Sequence, residues 1–340
     1  MKKTALGILR QVCSFCLLLL VFFPIVTHGE ETALNFHVTP EFPESQVAGS
    51  NSYFDLNLAA GKTEKLALKV QNTSSKPIQI QITAHTAYTN VHGVVEYGKD
   101  ALEPDSSLSY SLDQLIDASD VIELAGNETK TISVPLHMPK ESFEGFLAGG
   151  LRISEVKEEQ ETTSTDEGVA IKNEFAYIVG VVVTNSRDSV QPDLDLLDVF
   201  ADQLNYRNVI SARIQNYTPT FVNRLAVEAT VQRVGEEDIL YQASEEMMQM
   251  APNSNFNFPI SLNGDRFQSG EYLLTLKATS GEDEWEWKRT FKIEADEARA
   301  LNHRDVTIAP ETNWWLISGI VLLAFLLGIV LYRMIQKRQT

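Results

Sequence analysis

The chain has 340 residues, with 46 acidic against 28 Lys and Arg, a formal net charge of -18 and two cysteines. So acidic a polymer repels nucleic acid and other polyanions, and no local basic patch breaks the field, so no nucleic-acid partner is expected. Cys13 and Cys16 both lie near the N-terminus, so the rest of the chain can hold neither a disulfide nor a thiolate metal site and must rely on its cores.

Residues 1–29 place Lys2, Lys3 and Arg10 before an apolar run from Cys16 to Val26, followed by Thr27-His28-Gly29. That order predicts a secretory signal peptide cut after Gly29, rather than an uncut anchor. Cys16 precedes the run of leucines instead of following it, so no lipid attachment is expected. Without the six basic residues of the two ends, 22 basic residues face 46 acids.

From residue 30 the apolar period is two. Leu66, Leu68 and Val70 alternate with polar neighbours, as do Ile78, Ile80 and Ile82, then Ile132, Val134, Leu136 and Met138. Such segments are half-buried strands. Phe175 to Val183 is apolar without a break and predicts a central strand buried on both faces. The acidic, Thr-rich segment 155–174 before it predicts a hairpin loop, because it cannot bury enough apolar surface to offset its ordering entropy. Residues 30–184 thus read as one β-sandwich and 185–192 as a linker.

The alternation resumes over 193–298. Leu194 and Leu196, Ile210 to Ile214, Val227 to Val231, a short segment at Ile239 to Tyr241, Phe256 to Leu262, Tyr272 to Ala278 and Trp285 to Ile293 make seven strands. Seven short strands between Asn, Gly and Pro turns predict an immunoglobulin-like sandwich. Lys69-Val70-Gln71-Asn72 before one turn parallels Arg213-Ile214-Gln215-Asn216 before another, which suggests two copies of one strand corner. The expected fold is therefore all-β, two tandem immunoglobulin-like sandwiches followed by one transmembrane helix.

Residues 299–313 read as a juxtamembrane segment and 314–332 as that helix. Nineteen uncharged residues at 1.5 Å rise nearly match a hydrocarbon core of about 30 Å. Trp314, Trp315 and Tyr332 suit the interfaces, and Arg333, Lys337 and Arg338 orient the tail, 333–340, to the cytoplasm. The expected location is the cell membrane, single-pass, with the bulk of the chain outside. Ala309-Pro310-Glu311-Thr312-Asn313 imitates the sortase pattern L-P-x-T-G, with Leu and Gly both replaced, so retention in the membrane is expected over wall attachment.

Chemistry-bearing patterns are missing from the sequence. His37, His85, His92, His137 and His303 show no metal-ligand spacing, and Asp193, Asp195 and Asp198 lack the glycine and terminal glutamate of a calcium loop. No phosphate loop, nucleophile elbow or dinucleotide fingerprint occurs. No metal, cofactor or catalytic residue is expected, and the chain reads as a binding protein rather than an enzyme. Trp285 and Trp287 share a strand face suited to core packing, and the cluster Met247, Met248 and Met250 to loop packing or an adaptable surface. Asn72, Asn127 and Asn216 stand in the glycosylation acceptor pattern.

Val38-Thr39-Pro40 with Pro43 and Gln46, Tyr53-Phe54-Asp55-Leu56, Ala87-Tyr88-Thr89-Asn90 with Gly93 and Tyr97, and Phe146-Leu147-Ala148-Gly149-Gly150 occur in that order. Tyr206-Arg207-Asn208, Ile214-Gln215-Asn216, the segment Met250 to Phe256, Gly270-Glu271-Tyr272 and Leu301-Asn302 follow. Over nearly its whole length the chain resembles the WxL-interacting proteins of Gram-positive bacteria. The resemblance implies peptidoglycan binding by the first domain, host-surface or matrix-protein binding by the second, and WxL-domain surface proteins as partners. Tyr88, Asn90 and Tyr97 are the candidate glycan contacts, since sugar faces stack on exposed tyrosines and amides supply hydrogen bonds; tyrosines packed at the end of a sandwich are the competing explanation. The expected function is a membrane-anchored scaffold contacting peptidoglycan and WxL-type or host matrix proteins. Its alternative is an accessory subunit that folds or displays secreted partners without touching glycan.

Overall fold

The computed structural model describes residues 34–50, 52–118, 121–156, 174–308 and 314–338. The expected signal peptide, most of the expected hairpin loop and the sortase-like segment fall outside these residues. The period-two segments are strands, and the polypeptide described is dominated by β-sheet.

In the first half, β1 (Phe36–Glu41), β3 (Thr63–Asn72) and β8 (Thr129–His137) form an antiparallel sheet ordered β1-β3-β8. A second sheet takes β2 (Phe54–Asn57), β4 (Ile78–Thr86), β7 (Val121–Leu124), β9 (Leu147–Glu155) and β10 (Ala176–Thr184) in the order β2-β10-β9-β4-β7, with β2 and β10 parallel. Leu66, Leu68 and Val70 of the first sheet and Ile80, Leu151 and Val181 of the second are fully buried. Each such side chain contributes about 2 kcal/mol of transfer free energy.

The expectation for Phe175 to Val183 needs correction. Val179, Val181 and Val183 of β10 face the core, and on the other face Val182 is covered, but Ile178 is 52% exposed. Only the Val182 end is overlain, by Ala251 of the second half and by Ala87 and Val95 flanking and within the hairpin of β5 (Tyr88–Thr89) and β6 (Val95–Glu96). The other end of that face is open.

The second half has the seven strands expected. β11 (Leu194–Leu204), β12 (Arg207–Asn216) and β15 (Ser254–Ser261) make one sheet ordered β11-β12-β15. β13 (Val222–Arg233), β14 (Ile239–Met250), β16 (Gly270–Ser280) and β17 (Asp283–Ile293) make the other, ordered β14-β13-β16-β17. The sheets share one core, to which Ile210, Phe256, Val227 and Leu274 contribute and against which Trp285 and Trp287 pack. β14 runs for 12 residues rather than the three expected, because most of its side chains are exposed and those that turn inward, Tyr241, Ala243, Met248 and Met250, lose their alternation across the register shifts against β13.

A helix that sequence periodicity missed, α1 (Ala295–Arg304), packs Ala298 and Leu301 on this core. Asn302 Nδ2 donates to the Phe267 carbonyl at 2.9 Å, and Asp305 accepts from the Asn208 backbone N–H at 2.7 Å. The first part of the segment expected as juxtamembrane is therefore part of the second half's packing.

The corner repeat is repeated in geometry. Asn72, fully buried, donates from Nδ2 to the carbonyls of Lys76 and Ala125, both at 2.8 Å, while its Oδ1 accepts from the Ser74 N–H at 2.9 Å. Asn216, equally buried, donates to the carbonyls of Thr220 and Ala251 at 2.7 and 2.8 Å and accepts from the Thr218 N–H at 3.2 Å. Both amides close a turn after a strand and bond to a second chain segment. Neither is accessible to glycosylation.

The last described segment is α2 (Trp314–Arg338). Its described side chains, Trp315 and then 317–329, are all exposed. Among the described residues no helix is long and apolar enough to cross a membrane. The structure therefore does not show the transmembrane helix expected over 314–332.

Candidate functional site

The two halves are joined by direct bonds around the β5–β6 hairpin. The Ala251 N–H donates to Thr89 Oγ1 at 3.0 Å, and the Thr89 and Ser254 hydroxyls lie 2.7 Å apart, all buried. The Gln249 N–H donates to the Gly93 carbonyl at 2.7 Å, and the Phe146 N–H to the Pro219 carbonyl at 2.8 Å.

Asp105 is the charged element of this joint. It is 8% exposed and accepts from the Ser107 N–H and hydroxyl at 2.9 and 2.7 Å, then across the joint from Gln215 Nε2 at 2.8 Å and Asn255 Nδ2 at 2.5 Å. Burial works to raise its pKa, but these four donors together favour the anion and hold the carboxyl below its ordinary range. Residues 185–192, expected as a linker, are also tied down: Asn185 donates to the Leu58 carbonyl and accepts from the Phe143 N–H, both at 2.8 Å.

The hairpin opens onto two different grooves, and the candidate residues divide between them. Tyr88 pairs with Glu96 in register, so strand alternation turns Tyr97 to the opposite face. Tyr88 and Asn90 border a polar trough of about 740 Å³ with Lys99, Arg213 and Asn257. The Asn90 side chain is already engaged, donating to Glu96 at 2.7 Å and accepting from the N–H groups of His92 and Val94 at 2.9 and 3.2 Å. It shapes the turn.

Tyr97 lines the other groove, of about 530 Å³, with Tyr53, Phe146, Ile178 and Phe221. Its floor is the open end of the β10 face. Gly150 and Gly180 are register partners there, and a Cβ on Gly150 would lie 2.6 Å from the Tyr97 carbonyl oxygen, so only glycine lets that backbone cross the sheet so closely. Burial, assisted by the neighbouring Tyr53, raises the Tyr97 pKa, so its hydroxyl stays protonated at neutral pH. The Arg187 guanidinium pairs with Asp55 and stands 5.7 Å from the Phe146 ring centroid. The sequence did not single out Phe146, Phe221 or Ile178 as a surface; an unbroken apolar strand preceded by Gly149-Gly150 was the available signal.

Three residues, Phe221, Asn223 and Gln249, also line a further depression of about 720 Å³ on the second half, with Arg224 and Met247. Arrangements of this kind, aromatic faces with a few amides and a cation, bind amphipathic, hydrogen-bonding molecules. Among the described residues no group of three His, Cys, Asp or Glu could hold a metal ion. His85 and His92 do not meet: His85 Nδ1 pairs with Asp100 at 2.9 Å, while His92 is exposed in the hairpin turn. Asp193 accepts from Trp285 Nε1 at 2.9 Å and from the Tyr217 hydroxyl, and the latter bond is the main cause of its lowered pKa.

Among solved structures the chain is similar to the class 5 fimbriae chaperone CfaA, at 15% identity over 75% of this chain and 98% of that one, with a TM-score of 0.30. It is likewise similar to the YadV chaperone, at 10% identity over 76% and 100% with a TM-score of 0.29. The E. coli chaperone DraB matches at 12% identity over 76% and 98%, with a TM-score of 0.28. Scores this low say nothing of function. No curated protein matches the chain. Two family models do: residues 36–155 match the peptidoglycan-binding domain of WxL Interacting Protein, and residues 166–303 its host-binding domain. Both describe binding domains and neither a catalytic one. Found in this order and together spanning most of the sequence, they show that the chain belongs to the WxL-interacting protein family.

Proposed function

We propose that this protein is a membrane-anchored surface scaffold that holds cell-wall peptidoglycan on its first half and presents its second to WxL-domain or host matrix proteins. Each half is read as an immunoglobulin-like sandwich, and 314–332 as a transmembrane helix with the tail in the cytoplasm. The observation that carries the glycan reading is the open, aromatic groove whose rings Tyr53, Tyr97 and Phe146 belong to residues 36–155, the stretch that matches a peptidoglycan-binding model, with Ile178 and Phe221 completing it from the stretch 166–303. Exposed ring faces stack on sugar C–H groups, and Tyr97 supplies a hydroxyl donor.

Full-length chain in detergent is expected to sediment with purified cell-wall sacculi, and the double variant Tyr53→Ala, Tyr97→Ala to lose at least tenfold in affinity at a temperature where it remains folded, its melting point lowered by the lost Tyr97 packing. Unchanged sedimentation of that variant would remove the groove from the claim. Absence of binding by the parent would remove glycan altogether.

The second reading, a subunit that displays secreted partners without glycan, is favoured by the edge strand β14, where Ile239 is 54% exposed and Met247 74%. Crosslinking on intact cells separates the two: recovery of secreted proteins alone, with no sacculus binding, supports the second. Anchoring has its own test. Detergent is expected to release intact chain from undigested cells, whereas release only by muramidase, with a C-terminus at Thr312, contradicts it.

A further inference from the structure

We infer that the glycan site is composite, continuing from the first half onto the second, and that Arg224 there reads a carboxylate carried on the glycan. The inference rests on the peptidoglycan reading above and names which part of that polymer the second half contacts.

The groove does not end at the joint. Phe221, Asn223 and Gln249 line both the aromatic cleft and the depression beyond it, so the surface runs from Tyr53 and Tyr97 to Arg224 and Met247. Its chemistry changes along the way. The first part offers ring faces. The middle offers two amides, Gln249 donating to Asn223 Oδ1, with donor and acceptor capacity left over for acetamido groups. The far part offers a guanidinium.

Two features set Arg224 apart. Among the described residues it makes no ion pair, whereas the groove's other guanidinium, Arg187, is held by Asp55. Of the two cations lining the continuous surface, it is the one free to take an anion. Its position is also built. The register of β13 against β14 shifts on both sides of Leu225, and Arg224 and Met247 sit in left-handed conformations at φ 52° and 59°. Facing bulges of this kind re-aim side chains out of the sheet, and a left-handed arginine in a strand has a conformational cost that packing must offset.

A chain of N-acetylated amino sugars bearing peptide stems presents these features in the same combination: apolar sugar faces, acetamido groups and free carboxylates. A purely neutral glycan leaves Arg224 without a partner. An extended protein segment is the competing occupant, and the test includes it.

Full-length chain in detergent is titrated with two probes, the neutral chitohexaose and a soluble disaccharide-tetrapeptide muropeptide. Arg224→Asn, which tolerates the left-handed backbone, is expected to weaken muropeptide binding about tenfold, the worth of one charge-assisted contact, and to change chitohexaose affinity less than twofold. Arg224→Lys is expected to restore muropeptide binding to within about threefold. Phe221→Ala is expected to weaken both probes. Muropeptide affinity unchanged in Arg224→Asn, or a loss equal for both probes, overturns the inference. So does displacement of neither probe by the other while a secreted protein fragment competes with both. Failure of the broader peptidoglycan reading shows itself differently, as absence of sacculus binding by the parent chain.

Discussion

Replacing Asp105 by alanine tests whether the joint is a bonded interface or two surfaces that merely touch. The substitution removes an acceptor shared by Gln215 and Asn255 of the second half and by Ser107 of its own loop. A hydrogen bond to a charged group contributes about 1.5–3 kcal/mol, and Gln215, only 7% exposed, cannot turn its amide to water. The two bonds across the joint therefore give an expected loss of about 3–5 kcal/mol. For a folded region of this size that is about 6–10 °C in melting temperature, measurable by scanning calorimetry of the full-length chain in detergent. A conservative Asp105→Asn keeps one acceptor oxygen but sets an amide against amide donors, so it is expected to fall between the two. A shift below about 2 °C for Asp105→Ala refutes the reasoning, because it means that water replaces the carboxylate at no cost.

Asn216→Ala, which strands two buried carbonyls and a turn N–H, is expected to cost about 2–3 kcal/mol in urea unfolding, and Asn72→Ala, whose carbonyl partners are only part-buried, about 1–2 kcal/mol. Gly150→Ala is expected to push the Tyr97 backbone off the sheet, lowering sacculus binding along with roughly 1–3 kcal/mol of stability. The carboxyls of Asp105, Asp193 and Asp305 all have lowered pKa values in the folded state. Their contribution is full above the unfolded value near 3.9 and is lost as pH falls through the folded values. Thermal melts are thus expected to be flat from pH 7 to about 5 and to drop below about 4, and the drop is expected to shrink in Asp105→Asn.

Strands with one buried face were legible because burial writes a period of two: Leu66, Leu68 and Val70 are all inside, and the residues between them are not. What the sequence hid lies where that rule lapses. Most side chains of the edge strand β14 meet water, and register shifts break the alternation of those that turn inward, so its length left no pattern. α1 touches the core through little more than Ala298 and Leu301, too few contacts to display a helical period. The candidate site was misgrouped for a geometric reason. Tyr88 and Tyr97 are near in sequence and belong to one hairpin, yet alternation places them on opposite faces, and the Asn90 amide is spent on the turn between. Phe221 was beyond reach, since only the closure of the joint brings it beside Phe146, with ring centroids 6.3 Å apart.

That closure bears on binding as well as on stability. A groove formed by two halves on a free linker must order them when the ligand arrives, and the entropy of that ordering is subtracted from the affinity. Here the ordering is already done. Asp105, Thr89 and the Gln249 backbone bond across the joint, and Asn185 and Arg187 fasten the connecting segment to the first half. A weak contact at each of several successive positions then adds along one pre-formed surface, as a long, repetitive polymer requires. Cutting the joint without touching the groove separates these effects. Asp105→Ala leaves Tyr53, Tyr97 and Arg224 in place, so at a temperature where it remains folded its affinities for sacculi and for chitohexaose are both expected to fall, since Phe221, Asn223 and Gln249 of the second half line the aromatic groove. Equal affinities of parent and variant for both ligands would mean that the halves bind independently and that the rigid joint serves stability alone.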